Sequence, residues 1–140
     1  MEIEQALTAA RGTHQSVLTT LRRSNGRPQI SNVVHAVDEH GTVRVSITAD
    51  RAKYANLRHT PWAALHVSGG SFWAYAVLEC EASLSEVVAS PDDAAAEESV
   101  ALYRAIAGEH EDWDEYRAAL VTDRRLVVRL TPVHAYGQLG

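Results

Sequence analysis

A single cysteine, Cys80, means that the chain forms no internal disulfide and cannot complete a cysteine-rich metal site. Its neighbours Glu79 and Glu81 disfavour a thiolate, so Cys80 reads as packing rather than chemistry. No apolar run approaches the length that a bilayer demands, which argues against membrane insertion. Residues 1–10 lack the basic start and apolar core of an export signal, and the expected location is the cytoplasm. There is no glycine-rich phosphate loop of the Rossmann or Walker kind, and no glycine-x-serine-x-glycine nucleophile motif. Positive charge is also short. A formal net charge of −5 argues against general nucleic-acid binding, which calls for an excess of Lys and Arg. Lys and Arg total 13, yet Lys53 is the only lysine. With abundant Ala and Val, that bias suggests coding in a GC-rich genome, and it singles out Lys53 for scrutiny.

What is present suits one globular domain over residues 1–140. Apolar residues make up 46% and charged residues 22%, an ordinary balance. A chain of this size buries roughly two-thirds of its unfolded surface and needs no metal or disulfide for stability. Ile3, Leu7 and Ala10 define a short amphipathic helix that Gly12 ends. His14 to Leu21 alternate as a strand, and Ser24-Asn25-Gly26 signals a hairpin into a second strand from Gln29 to Val37. Asp38 to Gly41 turn the chain into a third strand, Thr42 to Thr48. Asp50 is placed to cap a helix from Arg51 to about Arg58, which Pro61 stops. Trp62 to Val67 and Trp73 to Leu84 read as strands around the loop Ser68-Gly69-Gly70-Ser71. In the longer one Ala74, Ala76, Leu78, Cys80, Ala82 and Leu84 share the inward face, with Trp73 and Tyr75 on the other. Helices from about Asp92 to Ala107 and Asp112 to Val121 precede a closing strand, Arg125 to Gln138. Meandering strands with one late helical pair predict a mainly β fold with flanking helices: a small, partly open barrel.

Three segments are candidates for chemistry. The first runs from Ser46 through Thr48 and Arg51 to Lys53, off a strand into a helix N-terminus. Free amides and the helix dipole there attract anions and disfavour cations. Arg51 and Lys53 sit against that preference, and a phosphate would resolve the conflict by accepting from guanidinium, ammonium and amides together. Ser46 and Thr48, on one strand face, add hydroxyl donors. The alternative is a solvated turn in which Asp50 pairs with Arg51. In the second, Gln29, Ser31 and Asn32 offer donors and acceptors suited to a polar heterocycle; read alone, the segment favours an edge strand with a polar outer face. The third is Trp73 with Tyr75, suited to ring stacking or to a subunit interface. The seven histidines include no close pair with zinc-ligand spacing, and the acids from Glu109 to Glu115 suit the start of a helix, so no metal site is expected.

Asn25-Gly26-Arg27-Pro28-Gln29-Ile30-Ser31-Asn32, then Arg51-Ala52-Lys53 and Asn56-Leu57-Arg58, resemble the split β-barrel flavin/deazaflavin proteins related to pyridoxamine 5′-phosphate oxidase, with an FMN-binding-like fold. The segments Leu102 to His110 and Val121 to Arg125 resemble the actinobacterial branch that uses coenzyme F420. The likeness runs in one register over nearly the whole chain. It implies an oxidoreductase that transfers a hydride between F420 and an unsaturated small-molecule substrate. The alternatives are an FMN-dependent oxidase and a non-catalytic F420-binding protein. It implies a homodimer with cofactor sites at the interface, and a phosphate held at Arg51 and Lys53. Gln29, Ser31, Asn32 and Ser46 then line the ring and linker, with Trp73 and Tyr75 nearby. Arg22, Arg23 and Arg27 are placed to form a basic groove for the acidic F420 tail. No catalytic residue is singled out; the proton donor is left among Tyr75, His66 and solvent.

Overall fold

A computed structural model describes residues 1–140. The elements in chain order are α1 (Ile3–Arg11), β1 (Gln15–Leu21), β2 (Pro28–Val37), β3 (Val43–Thr48), α2 (Ala52–His59), β4 (Trp62–Ser68), β5 (Tyr75–Leu84), α3 (Ala94–Ala107), α4 (Trp113–Thr122) and β6 (Arg125–Gln138). The strands are antiparallel and close into a six-stranded barrel in the order β1-β2-β3-β6-β5-β4. No helix is long and apolar enough to cross a membrane.

Alternation along the strands builds the core. Val43, Val45 and Ile47 of β3 meet Leu126, Val128 and Leu130 of β6 inside the barrel, with Leu65 of β4 and Leu78 of β5 opposite. Each such side chain contributes about 2 kcal/mol through burial. Ala6, Leu7 and Ala10 of α1 and Leu57 of α2 join the same core. Cys80 is buried there too, its thiol pushed up to about 12 by burial and by Glu79. It is a packing residue.

The first hairpin forms as expected, with Gly26 at φ 71° and its amide bonded to the Arg22 carbonyl at 2.8 Å. Asp93 and Asp112 cap the two late helices through the amides of Ala96 and Glu115. Two expectations fail locally. Asp50 does not cap α2: its carboxylate takes the Thr48 hydroxyl, and the helix begins at Ala52 with Arg51 as the flanking residue. Trp73 is not in a strand. The Gly69 amide bonds the Ala74 carbonyl at 2.7 Å and the Ala74 amide bonds the Ser71 carbonyl at 3.1 Å, so the turn holds Trp73 and β5 starts at Tyr75.

Outside the barrel, α3 is fastened by Glu98. Its carboxylate accepts from Arg44 at 3.0 Å and from Arg129 at 2.6 Å, and Arg44 also pairs with Asp38. The Arg129 hydrogen bond, aided by Arg44, holds Glu98 below the usual carboxylate range.

His35 anchors β2 from within. It is fully buried, its Nε2–H donates to the Ala10 carbonyl at 2.8 Å, and Nδ1 accepts from the Ser16 hydroxyl at 2.7 Å. The carbonyl can only accept, so Nε2 carries a proton, and burial favours the neutral ring. Burial lowers its pKa below the ordinary histidine value. As pH falls through the histidine range the unfolded chain therefore takes up a proton before the folded one. The His35 contribution to stability is complete above that range and declines below it. Urea denaturation is expected to show a lower midpoint at pH 5 than at pH 7.5, with a smaller difference in a His35→Gln variant. An unchanged difference would assign the effect to other groups.

Candidate functional site

The barrel wall opens between β2 and β3. These strands share only three residue pairs, His35 with Val45, Ala36 with Arg44 and Val37 with Val43. Beyond them β2 continues on β1, while Ser46, Ile47 and Thr48 pair with β6 alone. A cavity of about 910 Å³ occupies the opening. Asn32, Val33 and Val34 form one lip, and Ser46, Ile47 and Thr48 the other.

Its chemistry is that of an anion receptor. Arg51, Lys53 and Arg125 line it, and no carboxylate does. Arg51 lies at the start of α2, Lys53 in its first turn, and Arg125 opposite Thr48 across the β3–β6 ladder. The Arg125 guanidinium donates to Ser46 Oγ at 3.4 Å. Burial, then the charge of Arg51, holds Lys53 below the usual lysine range. An anion would relieve both effects.

The surrounding charge is segregated. Five arginines, Arg11, Arg44, Arg104, Arg117 and Arg129, are paired with carboxylates. The other eight of the 13 cations have no carboxylate partner within 4.0 Å. These are Arg22, Arg23 and Arg27 on the first hairpin, Arg51, Lys53 and Arg58 at α2, and Arg124 and Arg125 entering β6. The Arg23 amide donates to Asn56 Oδ1 on α2 at 3.3 Å, and the Ala49 amide donates to the Arg124 carbonyl at 2.9 Å. Three of these eight cations, Arg51, Lys53 and Arg125, line the opening.

Asn32, Ser46, Thr48, Arg51 and Lys53 are brought together as expected. Gln29 and Ser31 are not in the cavity lining. They project to the inner side of β2, where Gln29 Oε1 accepts from buried Asn56 Nδ2 at 2.7 Å and Ser31 Oγ is buried without a hydrogen-bond partner. Trp73 is 72% exposed, packed edge-on against Phe72, and also lies outside the lining. Tyr75 reaches the site only through His66, on which it stacks with ring centroids 5.5 Å apart. Sequence reasoning missed Arg125 and Gln15 as site residues and treated His66 only as one of three proton sources. All three line the cavity. The signal for Arg125 was present in the Arg124-Arg125 pair opening the last strand, but not its pairing with Thr48.

A closed antiparallel barrel whose wall parts over a cation-lined cavity has the architecture of a split barrel. The chain belongs to the pyridoxamine 5′-phosphate oxidase family, which its residues 3–138 match. Among solved structures it resembles a conserved hypothetical protein from Mycobacterium tuberculosis, at 16% identity and TM-score 0.71 over 96% of this chain and 82% of that one. It also resembles an F420 reductase, at 20% identity and TM-score 0.67 over 93% and 95% of the two chains. The heme storage protein HutZ from Vibrio cholerae is a third, at 18% identity and TM-score 0.68 over 98% and 95%. At these identities the likeness is one of fold.

The link between hairpin and α2 can be tested by stability. Asn56 donates to Thr20 and Gln29 and accepts from the Arg23 amide. Asn56→Ala leaves those groups unsatisfied and is expected to cost about 2 kcal/mol in chemical denaturation. A variant as stable as the parent would show that the network contributes nothing.

Proposed function

We propose that the chain is an F420-dependent oxidoreductase, in which the opening between β2 and β3 takes the phosphate of the deazaflavin coenzyme. The observation that carries this reading is the cavity's donor set: Arg51, Lys53 and Arg125 with the Ser46 hydroxyl, and no carboxylate among the lining residues. Guanidinium and ammonium groups together suit a phosphate that accepts several charge-assisted hydrogen bonds. Asn32, Gln15 and His66 supply polar contacts for a ring system, and Val17, Val34 and Ile106 supply apolar cover. The deazaflavin ring carries the hydride chemistry, and the protein supplies binding, orientation and exclusion of water.

FMN is the alternative ligand for the same site, since it too carries a phosphate on a ring-bearing chain. The unpaired arginines beyond the cavity, Arg22, Arg23 and Arg27, favour F420, whose acidic tail extends past the phosphate. The substrate class is a small, electron-poor unsaturated molecule. A homodimer completes the reading: Ile30, Val34 and Tyr136 are exposed apolar residues suited to covering by a second copy.

Parallel fluorescence titrations with F420 and FMN test the proposal. F420 is expected to respond at tens of micromolar or below, roughly a −6 kcal/mol interaction, and FMN more weakly. Lys53→Ala and Arg125→Ala are each expected to weaken F420 binding about tenfold or more, the scale of one lost charge-assisted hydrogen bond. Absence of any F420 response in the parent protein would defeat the proposal. A stronger response to FMN would replace it with the oxidase reading.

A further inference from the structure

The cavity wall facing the cations is the outer surface of β1 and β4. In β4, Ala63, Leu65 and Val67 point into the barrel, which turns Ala64, His66 and Ser68 outward. Asn32, Val17 and His66 are cross-strand partners in one row, so His66 lies two strand spacings from the free edge of β2. That is about 10 Å, a separation suited to a ligand whose ring and phosphate occupy opposite ends of the site.

His66 differs from every other polar group of the lining. Arg51, Lys53 and Arg125 are cations that do not deliver protons readily near neutral pH, and the remaining polar residues are hydroxyls and amides. Imidazole is the side chain that gains and loses a proton in that range. Neither ring nitrogen of His66 has a hydrogen-bond partner within the protein, whereas His14, His35, His59 and His110 each use one or both. Its ring plane is nevertheless fixed, because Tyr75 stacks on it with an interplanar angle of 10°. A half-buried imidazole with a set orientation and both nitrogens free is a group placed for a ligand.

We propose that His66 is the catalytic acid of this site, an inference that rests on the oxidoreductase reading above. For an enone acceptor, the reduced deazaflavin is the hydride donor and is oxidised by two electrons. The hydride forms the new C–H bond at the β-carbon while the C=C π bond breaks and its electron pair moves toward the α-carbon and carbonyl oxygen. The ring N–H of protonated His66 breaks, its proton completes the reduced product, and the neutral imidazole regains a proton from solvent. Several groups share the setting of this histidine. Tyr75 and Glu79 on β5 and His134 and Tyr136 on β6 lie on the same outer face, β1 presents no titratable group there, and Arg51, Lys53 and Arg125 line the rest of the cavity.

The test uses the full chain with F420, and with cyclohex-2-enone and menadione as acceptors. In two-dimensional NMR, the His66 ring signals of the parent protein are expected to shift on F420 addition. His66→Gln, which keeps a polar side chain but cannot act as an acid, is assayed at F420 concentrations that saturate it, so that any loss of affinity is read apart from the rate. Its turnover is expected to fall about a hundredfold. The parent's pH–rate profile is expected to lose one ionisation in the variant. Unmoved His66 signals under saturating F420, or a variant with the parent's rate and pH profile, would overturn the assignment while leaving the proposed function intact. A parent protein that neither binds F420 nor reduces either acceptor would remove the proposed function, and the role of His66 with it.

Discussion

The brevity of the β2–β3 contact governs the rest of this molecule. Three residue pairs join the strands at the Asp38–Gly41 end, and beyond them β2 pairs only with β1 and β3 only with β6. A barrel wall is a continuous ladder of donors and acceptors, and an unpaired stretch within it must be solvated or must face a ligand. Buried His35 ties β2 to β1 through Ser16, and Leu126 and Val128 pack in the core with β3, so both strands are anchored on either side of the opening. The opening is thus part of a well-packed structure.

Charge is distributed on the same plan. Where Arg44 and Arg129 secure α3 to the barrel, each finds a carboxylate, and Glu98 serves both. Among the residues that line the opening there is no carboxylate. Lys53 is partly desolvated beside Arg51, an arrangement that costs free energy until an anion enters. The arginines that fasten α3 and those that line the cavity are therefore different residues. Substitutions at one set leave the other largely undisturbed, because surface contributions at separate sites add nearly independently.

Much of the architecture was legible in the sequence because alternation and turn chemistry are local. Val43, Val45 and Ile47 announce an inward face, and Asn25-Gly26 announces a hairpin. The phosphate-binding candidates Arg51 and Lys53 were legible through a conflict, cations where a helix start prefers anions. What could not be read depends on partners distant in the chain. Arg125 joins Ser46 and Thr48 across the β3–β6 ladder, a contact spanning 79 residues in sequence. Gln29 and Ser31 were assigned to the ligand because β2 is polar on both faces near the hairpin. In such a strand the inward side is decided by packing against Thr20 and Asn56 rather than by hydropathy. Trp73 continued an alternating pattern, and only the close packing of Gly69 on Ala74 shows that the chain turns first.

The solitary lysine has a practical consequence. Lys53 is the only side-chain amine in the sequence, it lines the cavity, and its ammonium gives up a proton more readily than an ordinary lysine. Amine-directed reagents, from reductive methylation to aldehyde trapping, thus meet a single side-chain address. A spectroscopic label attached through that nitrogen would report occupancy of the opening from inside it, with no other lysine to be engineered away.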